Sequence, residues 1–146
     1  MTASHQVGDK EFVIGSISGT TITPETLTNS YTGTGAVVSS AIYVKSIYTI
    51  ALDVFYTMGA SESDNSIQFI LETSMDGTNW TRMVNETVSG GTSTLTEREF
   101  TFAGTGEIHV PINNVTAEYL RISCKETGVA ANYGTVAVSI AKFQEW

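Results

Sequence analysis

The chain has 146 residues, enough for one domain with a two-layer core and too few for two of ordinary size. Fifteen acidic residues against seven basic ones give a formal net charge of -8, a field that repels phosphate backbones and anionic lipid, so neither nucleic acid nor a membrane is an expected partner. A single cysteine, Cys124, excludes an internal disulfide and a cysteine-based metal knuckle.

Residues 1–10 are polar, without an apolar run of signal-peptide length, so synthesis in a cytosol is expected. Sequons at Asn79, Asn85 and Asn114 are then chance in a chain rich in Asn and Thr. Residues 1–35 are dominated by Thr, Ser and Gly, with a short apolar run at Phe12, Val13, Ile14 and Ile17 and a break at Pro24. This composition predicts an extended N-terminal arm with at most an outer strand, ordered by lying on its own domain or on a neighbouring subunit. Residues 36–146 make the folded domain.

After a short apolar run at residues 36–44, Tyr48, Ile50, Leu52, Val54, Tyr56 and Met58 share one parity, which places them on one buried strand face. Residues 58–66 are polar and flexible and form an exposed loop. Ile67, Phe69, Leu71 and Thr73 alternate with Gln68 and Glu72, and Asp76-Gly77 then reverses the chain into a strand opened by Trp80. That strand runs to Val88 and ends at Ser89–Gly91. Residues 94–102 follow, with Phe100 and Phe102 inward, and Ile108, Val110 and Ile112 alternate after the glycines at 104 and 106. Pro111 has no N–H to donate, which argues for an edge strand or a bulge. Leu120, Ile122 and Cys124 face inward on the next strand, and Val136, Val138 and Ile140 on the last.

About eight or nine such segments and no helical periodicity predict an all-β fold, an antiparallel two-sheet β-sandwich, with jelly-roll topology the first choice.

No catalytic set is legible. His5 lies in the arm and His109 on an outward strand position, and no nucleophile elbow, phosphate loop or zinc-binding helix motif occurs. Asp53 and Glu72 fall on outward parities of strands taken as neighbours, the arrangement a glycosidase pair would need, although outward acids on an acidic protein are ordinarily solvated. Glu62, Asp64 and Asn65 in one loop, and Asp76 and Asn79 in another, lack calcium-loop spacing and read as turn residues, so no metal and no cofactor are expected. Cys124 shares the inward parity and reads as a buried small hydrophobe.

Leu-Glu-Thr-Ser-Met-Asp-Gly-Thr-Asn-Trp, residues 71–80, resembles the Ser-x-Asp-Gly-x-x-Trp hairpin of discoidin-like and carbohydrate-binding β-sandwiches. Tyr-Leu-Arg-Ile-Ser-Cys-Lys-Glu-Thr-Gly at 119–128 and Gly-Thr-Val-Ala-Val-Ser-Ile at 134–140 resemble small β-sandwich virion proteins of tailed bacteriophages, among them capsid cement and decoration proteins. The resemblance implies a non-enzymatic jelly roll, commonly a homotrimer, that binds the major capsid protein in assembled shells and resides in the virion. Phe55, Tyr119 and Phe143, read as outward, and the terminal Trp146 are the expected interface residues. The rival expectation is a carbohydrate-binding, tail or neck module that contacts a glycan through Asp76, Trp80 and Tyr133.

Overall fold

The computed structural model describes residues 5–7, 10–113 and 115–145. The chain enters through β1 (His5–Val7) and β2 (Glu11–Ile14), makes an outlying hairpin of β3 (Ser16–Ser18) and β4 (Thr21–Thr23), and continues as β5 (Glu25–Thr26). Two short strands, β6 (Val37–Val38) and β7 (Ile42–Tyr43), precede the long β8 (Thr49–Thr57) and β9 (Ser66–Ser74). Then come β10 (Thr81–Arg82), β11 (Val84–Ser89), β12 (Thr92–Glu97), β13 (Phe100–Ala103) and β14 (Gly106–Asn113). The chain closes with β15 (Tyr119–Thr127) and β16 (Thr135–Glu145). All pairings are antiparallel, and no helix occurs among the described residues.

Two sheets face each other across one core. In the first, β16 pairs with β8 (Val138 opposite Val54), and β8 with β14 (Val54 opposite Ile108). In the second, β9 pairs with β15, Leu71 opposite Ile122. Strict alternation sends Ile50, Leu52, Val54 and Tyr56 of β8 into the same cluster as Phe69, Leu71, Leu120 and Ile122, each at most 1% exposed. A slip of one residue in any of these strands would turn its apolar set to water, so the register is strongly specified. Tyr48 continues the parity of β8 but lies before the strand, and is 52% exposed rather than buried. Pro111 sits on β14, which pairs only with β8 and is the edge its missing donor requires.

The outer ranks of both sheets are assembled from fragments. The free edge of β16 is covered by β5, β2 and β1 in succession, opposite residues 135–136, 138–140 and 143–145. Of the segment expected as an extended arm, β1, β2 and β5 thus lie on the edge of the sandwich itself, while the β3–β4 hairpin pairs with neither sheet. Ile14 and Leu27 are each 1% exposed and belong to the core, and Leu27 N donates to Gly134 O at 2.9 Å. In the second sheet β6 and β7 share the free side of β15, while β10 and β13 share the free side of β9. The strand expected to run from Trp80 to Val88 stays in the sheet for two residues only. The chain leaves it at Met83, makes the β11–β12 ribbon, and re-enters as β13, with Phe100 stacked 4.9 Å from Phe69.

One acid lies in the core. Glu126 follows Cys124 by two positions and so faces inward; it is fully buried. The Tyr56 hydroxyl donates to its Oε2, and Gly134 N donates to its Oε1 at 2.8 Å. Burial, together with the carboxylate it donates to, holds the Tyr56 hydroxyl well above the ordinary phenol range. Gly134 admits no side chain, because a Cβ there would lie 2.3 Å from Thr57 O.

Candidate functional site

The expected interface aromatics do not form one patch. Phe55 and Phe143 lie on the outer face of the first sheet, where Phe55 packs 6.2 Å from Phe12 and under Lys10. Tyr119 lies on the second sheet, edge-on to Tyr43 at 5.5 Å. Tyr119 has the opposite parity to buried Leu120, so the core separates it from the other two. Trp146 lies outside the described residues.

The expected glycan contacts are also dispersed. Asp76 is committed to its turn: its carboxylate accepts from Thr78 N and Asn79 N at 2.8 Å, from Asn79 Nδ2 at 2.7 Å and from Ser74 Oγ at 2.9 Å. Those donors, the Asn79 and Thr78 amides first, hold it well below the usual carboxylate range. Gly77 supplies the positive φ of 76° that the reversal needs. Tyr133 is at the far end of the sheet, since its neighbour Asn132 donates to Ala60 O in the 58–65 loop, one length of β9 or about 30 Å from the turn. Trp80 lies against Arg121, whose guanidinium sits 4.5 Å from the ring.

The acids read as possible catalytic or metal ligands are accounted for separately. Asp53 and Glu72 occupy different sheets and cannot act as a pair. Burial opposes ionisation of Asp53, but Lys10 at 2.8 Å and His109 at 2.7 Å outweigh it and keep the carboxylate below its usual range. Glu62 accepts from Ala131 N and Asn132 N, a clasp between two loops that lowers its own affinity for protons. No group of three or more His, Cys, Asp or Glu side chains is placed to hold a metal among the described residues. Cys124 is buried, and that burial pushes its thiol far above the ordinary range.

The longer of two hairpins that stand outside both sheets is the β11–β12 ribbon. It pairs with neither sheet, and every residue from Val84 to Ser89 and from Thr92 to Glu97 is exposed. Gly90 and Gly91, at φ 58° and 78°, make the two-residue reversal that suits a twisted hairpin. One face presents Val84, Val88 and Leu95, which are 43%, 63% and 64% exposed, beside Glu86, Ser93 and Glu97. The other carries Asn85, Thr87, Ser89, Thr92, Thr94 and Thr96. At the base, Arg82 pairs with Glu97 at 2.5 Å and Arg98 N donates to Met83 O at 2.9 Å. The Gly-Gly pair was the available sequence signal. Polar residues at both parities left no core face from which to infer a role.

No protein-family model matches the chain, and no curated protein matches it. The geometry therefore stands alone as the basis for a function. On the first sheet the register sets Ser139, Asp53 and His109 side by side, with His109 Nδ1 2.7 Å from Asp53 and Ser139 Oγ without a hydrogen-bond partner among the described residues.

Proposed function

We propose that this chain is a non-enzymatic virion structural protein, a decoration or cement protein that docks on the assembled major capsid protein shell of a tailed-phage head. The observation that carries this reading is the ribbon of residues 84–97. An isolated two-stranded hairpin is only marginally stable in water, and this one leaves three apolar side chains in solvent. Docking on a second surface would remove both costs. Six residues per strand give a projection of about 20 Å, enough to reach across a neighbouring subunit boundary.

Strand order supports the same reading. Counting each composite rank once, the sheets run 1-8-3-6 and 5-4-7-2, an order that supports a jelly-roll reading, an architecture used by viral shells and by lectins. A shell repeats each contact many times, so a modest interface per copy resists rupture of the particle. If the copies form a trimer, the outer face of the first sheet, with Phe55 and Phe143, is the face we assign to the axis; Tyr119 cannot share it.

Co-sedimentation with undecorated phage shells tests the proposal. Saturable binding to assembled shells, with none to free capsid subunits, is the expected result. Absence of binding to any shell at saturating protein would overturn it.

A further inference from the structure

The outer face of the second sheet carries a groove of about 530 Å³, within the range of small-molecule sites. Ile70, 4% exposed despite its outward parity, forms the floor because the segment before β6 crosses above it. Tyr31 of that segment is the wall. Its hydroxyl donates to Glu99 at 2.7 Å, and Lys125 Nζ lies 4.5 Å from its ring.

Beside the floor, β-register sets Arg82, Glu72 and Arg121 in a row across three strands. Glu72 accepts from Arg121 Nε at 3.0 Å, from Arg121 Nη2 at 3.3 Å and from Ser123 Oγ at 3.4 Å, so it has little acceptor capacity left. Arg82 Nε is buried and has no partner among the described residues. The guanidinium charge is met by Glu97 through Nη1, but a buried N–H left without an acceptor is still costly, and a ligand acceptor that reached it would relieve that cost. Two of the seven basic side chains of an acidic protein, Arg82 and Arg121, thus line one groove, and a third, Lys125, lies against its Tyr31 wall.

We infer that this groove binds a short saccharide bearing a carboxylate, a sugar of the uronic-acid class. The ring's apolar face fits Ile70 and Tyr31, and its carboxylate meets the Nε–H of Arg82, the donor that Glu97 leaves without an acceptor. A dianionic phosphate is disfavoured because Glu72, Glu97 and Glu99 already lie around the arginines. The inference does not depend on shell attachment.

Titration of the full chain with digalacturonate, followed by amide NMR shifts, tests it. Shifts should cluster at Tyr31, Ile70, Glu72, Arg82 and Arg121. Neutral digalactose and inorganic phosphate should each bind at least about tenfold more weakly. Arg82→Gln should weaken binding by a similar factor. Thr32→Trp, an exposed lip residue whose side chain makes no bond among the described residues, should block the groove while leaving the unfolding midpoint in place. No shifts with digalacturonate, equal binding of the neutral sugar or of phosphate, or undiminished binding by Thr32→Trp would each overturn the assignment.

Discussion

Replacing Ile14 and Leu27 together by Ala tests whether the N-terminal segment belongs to the core. Both side chains are 1% exposed in one hydrophobic cluster, and both lie on the rank that covers the free edge of β16. Truncating a fully buried Leu or Ile costs about 2–5 kcal/mol, part transfer and part cavity. If the two sites act independently, the pair costs about 4–10 kcal/mol, against a total of about 5–15 kcal/mol for a domain of this kind. The double variant should therefore lose a large fraction of the domain's stability, and each single variant should shift the urea midpoint strongly at unchanged slope. Urea titration followed by circular dichroism reads this directly. A summed loss below about 1 kcal/mol would show the segment to be peripheral to the core.

Tyr56→Phe removes the donor to buried Glu126 and should cost about 1–3 kcal/mol by the same assay. Asp76 has a folded-state pKa below its unfolded value, so its contribution is present above about pH 4 and is lost as pH falls through the folded pKa. Asp76→Asn should accordingly flatten the acid limb of the stability profile, and an unchanged limb would count against the turn network. Cys124, buried with a raised pKa, should react with a thiol reagent only at the rate of unfolding. Fast modification under native conditions would contradict its place between the sheets.

The long strands were legible because each places an uninterrupted apolar series on one parity. Ile50 to Tyr56, Ile67 to Leu71, Leu120 to Cys124 and Val136 to Ile140 are all buried. The Asp76-Gly77 turn and the edge position of Pro111 followed from backbone chemistry. The composite ranks were not legible, since β5, β6, β7 and β10 have two residues each and show no period. Their positions are fixed by the edges they cover. Glu126 had inward parity, but only Tyr56 and Gly134, distant in sequence, make an acid tolerable there. The groove joins residues 31, 70, 72, 82 and 121, brought together by sheet register and a crossing segment that local patterning does not reveal.

The most direct test of the docking account is a shell-binding isotherm for the Val88→Asp, Leu95→Asp variant. Both side chains are solvent-exposed and touch no core, so the urea midpoint should move by no more than about 0.5 kcal/mol equivalent. The account predicts a folded protein that leaves shells bare at concentrations where the parent chain saturates them. Saturation by the variant at the parent's concentration would contradict it.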